Sequence, residues 1–124
     1  METAVTTMSE AMPEELRDKL IEAAIDSAPG GREICGFVMK DWSLVFMPNI
    51  ATDPLKFRMD DAALLAFYTE FPQPEGIFHS HPDGREEPSN TDWEYAPVGL
   101  RYWIITLDDV IEWDMSGDKP SRAA

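Results

Sequence analysis

The chain has 124 residues, enough for one domain with a modest core and no dependence on disulfides. Its 24 acidic residues against 10 basic ones give a formal net charge of −14, which argues against nucleic acid, whose recognition needs a basic footprint, and against an acidic membrane surface. One cysteine excludes an internal disulfide framework, no apolar run approaches a membrane span, and no secretory signal pattern opens the chain, so a soluble cytoplasmic domain is expected.

Residues 1–11 carry no pattern and read as a loose N-terminus, leaving residues 12–115 for a single domain. Pro13-Glu14-Glu15 opens a helix, with proline early and acids in the first turn, where the helix dipole favours them. Leu16, Leu20, Ile21, Ala24 and Ile25 give it one apolar stripe, and Pro29-Gly30-Gly31 stops it. Glu33 to Met39 alternates as a strand, with Glu33, Cys35, Phe37 and Met39 on one face. Leu44 to Met47 is a second strand, joined to the first through a turn at Asp41-Trp42. Phe57 to Met59 reads as a short strand, and Asp60 or Asp61 caps a helix over Ala62 to Tyr68. After Pro72 and Pro74, Gly76-Ile77-Phe78 begins a strand that runs into His79 and His81 and stops at Pro82, which cannot donate to a ladder. Ser89 starts a helix that continues through Ala96. Tyr102 to Leu107 and Val110 to Trp113 form a closing hairpin, and the polar residues 116–124 are expected to be disordered.

The chemistry concentrates in Phe78 to Asp92. His79 and His81, the only histidines, stand at i and i+2 and so share a strand face, about 6.5–7 Å apart. Two imidazoles at that spacing can lean onto one ion at about 2.0–2.1 Å each. Alone, the pair fits an exposed strand face as well as a metal site. Ser89 ahead of Asp92, taken alone, is a capping motif. Together they are harder to dismiss, because the loop between them can return the Asp92 carboxylate to the end of the strand. The result is an N/N/O set with an open fourth position, the ligand count of catalytic rather than structural zinc. Glu33 shares its face with three apolar side chains, where burial without a partner is unfavourable. Two readings of it stand at this point: a strand start with its carboxylate in water, or a functional group. Cys35 could be a nucleophile with a histidine base, but a small buried hydrophobe is the better reading. Ser80 points away from the histidines and reads as structural.

His79-x-His81, seven residues, Ser89, two residues, Asp92 resembles the signature of the JAMM (MPN-plus, Mov34/PAD1-type) zinc metalloproteases. Glu33-x-Cys35-Gly36 is similar to the upstream glutamate common in the prokaryotic members, and His79-Ser80-His81-Pro82-Asp83-Gly84 followed by Pro88-Ser89 resembles the small bacterial and phage-tail-type members. The resemblance runs in order from about Glu33 to Met115. It implies an α/β (α+β) fold with a curved mixed β-sheet core flanked by helices, the cytidine-deaminase-like JAMM/MPN architecture. It also implies hydrolysis of peptide or isopeptide bonds. On this reading His79, His81 and Asp92 hold Zn2+, and Glu33 exchanges the proton of the attacking water. Ser89 donates to the developing oxyanion. The implied partner is a protein or peptide substrate: a ubiquitin-like or sulfur-carrier protein tail, or a phage tail component. The competing reading is an MPN-type binding or phage-tail assembly module without chemistry, although such modules normally lose one or more of these residues.

Overall fold

The computed structural model describes residues 10–53 and 56–123. Most of the expected loose N-terminus, residues 1–9, lies outside the described residues. Among the described residues, three α-helices, α1 Glu14–Ser27, α2 Asp61–Glu70 and α3 Asn90–Glu94, accompany six strands. The strands are β1 Cys35–Val38, β2 Leu44–Met47, β3 Gly76–Ser80, β4 Arg101–Ile105, β5 Val110–Asp114 and β6 Ser121–Arg122. They form one mixed sheet in the order β2-β1-β3-β4-β5-β6. Only β3 and β4 run parallel, and the crossover that a parallel pair requires carries α3. The fold is α+β, as the resemblance implies.

The alternation of β3 explains where the core and the histidines sit. Phe78 faces α1 and packs with Leu16, Leu20, Ala24, Val38, Trp103 and Ile105. Ile77 faces the other way, into a layer of Cys35, Phe37, Phe67, Tyr102, Ile104 and Trp113. In that layer Phe37 stacks on Phe67 of α2, with ring centroids 4.0 Å apart. His79 and His81 continue the Ile77 face, so the histidines lie at the end of an apolar layer rather than on a solvated surface. All five residues of β3 are buried. Glycine lets β1 sit close to its neighbours: a Cβ on Gly36 would meet the Val45 carbonyl and lie 2.8 Å from the Phe78 ring.

Three expectations need correction. Phe57 to Met59 is not a strand. It is held instead by Asn49, whose side chain accepts from Arg58 N at 3.0 Å and donates to Lys56 O at 3.1 Å. The third helix stops at Glu94 rather than Ala96. The C-cap Tyr95 N still donates to Thr91 O at 3.1 Å, but Ala96 N reaches only three residues back, to Trp93 O at 3.3 Å, so the last turn tightens and ends there. The tail expected to be disordered supplies β6, where Arg122 pairs with Glu86 at 2.8 Å and lies 5.1 Å from the Trp113 ring centroid. Among the described residues no helix is long and apolar enough to cross a membrane.

Candidate metal centre

The register brings the scattered residues together. Cys35 of β1 lies directly across from His79 of β3. The pairing continues past the strand end, with Ser80 N donating to Ile34 O and Ile34 N donating to Ser80 Oγ, both at 2.9 Å. Ser80 therefore fastens the lead-in to β1 against β3, in keeping with a structural role. Glu33, one residue further out, is carried in beside the histidines. It is 3 % exposed, so its carboxylate is not in water at a frayed strand start.

His79 is fixed on three sides. Phe57 stacks on its ring at 4.3 Å, Tyr102 meets it edge-on at 5.5 Å, and its Nδ1 lies 3.0 Å from Glu33 Oε1. His81 Nδ1 lies 2.9 Å from the Arg85 carbonyl. A carboxylate and a carbonyl only accept hydrogen bonds, so each Nδ1 carries the proton, and in each neutral ring the lone pair is on Nε2. Both Nε2 atoms face the same oxygen: Asp92 Oδ2 is 3.3 Å from His81 and 3.5 Å from His79. His79 Nε2 is buried and makes no hydrogen bond among the described residues.

Helix α3 aims that oxygen. Ser89 is its N-cap, Ser89 Oγ accepts from Asp92 N at 3.0 Å, and Ser89 N donates to Asp92 Oδ2 at 2.9 Å, a complete capping box. Between His81 and Ser89 the chain is tied down by Trp113 Nε1, which donates to Glu86 O at 2.9 Å. Burial would raise the pKa of Asp92, but the His81 hydrogen bond, the His79 charge and the Ser89 N–H outweigh it and hold the group down at about 2. Burial likewise pulls His81 down, and the Asp92 carboxylate, the Arg85 carbonyl and the charge of Glu33 more than reverse it, so its pKa rises. The pocket is built for positive charge. Two nitrogen lone pairs and an anionic oxygen converge, and a proton on His81 or a cation can relieve their repulsion.

The residues present fit a metal ion. The buried Glu33, His79 and His81 can hold one, their ligand atoms lying within 4.8 Å of one another. The orphaned Nε2 of His79 is a second sign. Two ligands each about 2.0–2.1 Å from a tetrahedral ion stand about 3.3 Å apart, close to the spacing of Asp92 Oδ2 from each Nε2. Each histidine also gives its other ring nitrogen to a carboxylate or backbone carbonyl, the usual way a metal-binding imidazole is oriented.

A family model described as prokaryotic homologs of the JAB domain matches residues 13–116. The chain belongs to this family. No curated protein matches it. Among solved structures, this JAB domain is similar to the solution structure of protein DSY2949 from Desulfitobacterium hafniense. The two share 23% identity over 86% of this chain and 87% of the other, with a TM-score of 0.65. That likeness concerns the fold.

The JAB domain also uses residues that its motif does not announce. Phe57, Tyr102 and the Arg85 carbonyl all bear on the histidines, yet each comes from a segment whose sequence signals only packing or a loop. Cys35 is no nucleophile: burial first, and the charge of Glu33 second, push its thiol up to about 12, and it contacts the Met47 carbonyl at 3.4 Å.

Proposed function

We propose that the chain is a zinc-dependent hydrolase of peptide or isopeptide bonds. The observation that carries this reading is the convergence of His79 Nε2, His81 Nε2 and Asp92 Oδ2, with the buried Glu33 carboxylate beside them. His79, His81 and Asp92 would hold the ion, which when bound acts as a Lewis acid and lowers the pKa of a coordinated water from 15.7 to roughly 7. Glu33 takes the proton of the attacking water and returns it to the leaving amine. Ser89 already uses an oxygen lone pair as an N-cap acceptor, which leaves its hydroxyl proton to donate to the developing oxyanion. The peptidases within the family support this reading. The substrate is a protein or peptide, with a ubiquitin-like or sulfur-carrier tail and a phage tail component as the classes to assay.

One observation favours a second reading, a metal-binding module without turnover. Glu33 Oε1 faces His79 Nδ1, a contact that orients an imidazole and does not by itself activate water. Glu33→Gln separates the two. For the hydrolase, wild type purified without chelators carries about one zinc per chain, and the variant keeps the zinc while hydrolysis falls about 10²–10⁴-fold. For the module, wild type turns over nothing and the variant loses about 10–100-fold in zinc affinity. A wild-type chain free of metal contradicts the hydrolase, and a fully active variant removes Glu33 from its mechanism.

A further inference from the structure

His81 is oriented from a loop: its Nδ1 donates to the Arg85 carbonyl at 2.9 Å. Residues 83–87 are exposed. Within the loop, Gly84 N donates to His81 O at 2.9 Å, and Arg85 donates to the Asp83 carboxylate through its N and Nε. Among the described residues, two hydrogen bonds reach residues 83–87 from outside residues 81–92, and both end on Glu86. Trp113 Nε1 donates to the Glu86 carbonyl at 2.9 Å, and Arg122 donates to its carboxylate at 2.8 Å. The two donors are cross-strand partners on β5 and β6, with the Arg122 guanidinium 5.1 Å from the Trp113 ring centroid. They are unequal. The Arg122–Glu86 ion pair is exposed, its side chains 54 % and 49 % accessible, and a pair of that kind contributes little. Trp113 is 9 % exposed and its ring packs in the layer of Ile77 and Tyr102, so its N–H is aimed by a fixed side chain. It grips the peptide unit next to the one that carries the Arg85 carbonyl.

We propose that Trp113 is a positioning residue for the metal centre: by holding Glu86 it keeps the neighbouring Arg85 carbonyl on His81 Nδ1, which turns His81 Nε2 toward the ion. This rests on the reading that His79, His81 and Asp92 hold that ion. His79 needs no such support, because Phe57, Tyr102 and Glu33 fix its ring directly. The Nδ1 contact of His81 comes from an exposed loop, and without an outside tie that loop would lose the contact to its own conformational freedom. Trp113 thereby links β5 to one arm of the centre.

Trp113→Phe removes the N–H and keeps an aromatic ring in the layer. Competition titration with a chromophoric chelator should show zinc affinity about 10-fold weaker than wild type, the lower end of what the loss of a ligand's supporting contact costs. In the zinc-loaded protein, NMR should show the His81 Nδ1–H proton exchanging with solvent faster in the variant than in wild type. A merely structural indole would lower the melting temperature and leave both readouts unchanged, and that result overturns the inference while the metal reading stands. Arg122→Ala keeps the indole contact and should bind zinc as wild type does. A loss as large as that of Trp113→Phe would assign the grip to the ion pair and overturn the role of the indole. Should Trp113→Phe not fold, wild type decides by reciprocity. Zinc should slow the exchange of Trp113 Nε1–H more than that of Trp103, which lies on the opposite face of the sheet, and equal slowing overturns the inference. A wild-type chain that takes up no zinc removes the metal reading itself, and the inference with it.

Discussion

Asp92 is the residue on which the centre turns, because one of its oxygens meets Ser89 N and both imidazoles. In the metal-free protein that arrangement has a definite pH signature. The pKa of Asp92 falls from 3.8 to about 2 on folding, so its contribution is present above 3.8 and is lost as pH falls toward 2. The pKa of His81 rises above 6.5, so its contribution is present below 6.5 and is lost as pH climbs through the raised value. Both shifts describe one contact and count once. The stability margin of metal-free wild type over Asp92→Asn, measured as the difference in urea midpoints, should be widest between about pH 4 and 6.5 and narrow on either side. A margin that ignores pH would show that the contact contributes nothing. The partners of Asp92 were legible in the sequence because each belongs to a local period: His79 and His81 to the two-residue repeat of a strand, Ser89 to the three-residue reach of a cap. Tyr102 and Phe57 were not, since their contacts with His79 depend on which strands become neighbours.

Helix α3 is five residues long, far too short to persist by itself. It stands because its first turn is closed by Ser89 and Asp92 and its ends are anchored to β3 and β4. In Ser89→Ala the backbone N–H remains to hold Asp92 Oδ2, so zinc binding should persist, with a stability loss of about 0.5–2 kcal/mol from the missing cap. Hydrolysis should nevertheless fall about 10²–10³-fold if the hydroxyl serves the oxyanion. Activity that falls no further than the folded fraction would leave Ser89 as a cap alone. Elements with a strong internal period, such as α1 and the β1–β2 hairpin, could be read directly. The failures share a cause. Phe57 to Met59 has strand-like residues but finds its hydrogen bonds on the Asn49 side chain, and Ser121-Arg122 has a polar composition but is drawn onto β5 by Glu86 and Trp113. In both cases distant side chains decided the local backbone.

At the scale of the molecule, the sheet presents its histidines at the end of one apolar layer, and helices α1 and α2 cover its two faces. The chain carries 24 acidic against 10 basic residues, and its centre itself calls for a cation. Binding an ion to the native state alone should therefore stabilise the whole domain: free zinc at 100 times its dissociation constant adds about 2.7 kcal/mol, a rise on the order of 10 °C in Tm for a chain of this size. Scanning calorimetry with zinc, and again with a chelator, should show that rise and its reversal. An unmoved Tm would mean no native-state site. The most direct test is anomalous diffraction at the zinc edge from crystals of the zinc-loaded protein. One peak should stand about 2.0–2.1 Å from His79 Nε2, His81 Nε2 and Asp92 Oδ2 together, with Glu33 outside bonding distance. A peak bonded to Glu33 in place of Asp92, or no peak at the histidines, would contradict it.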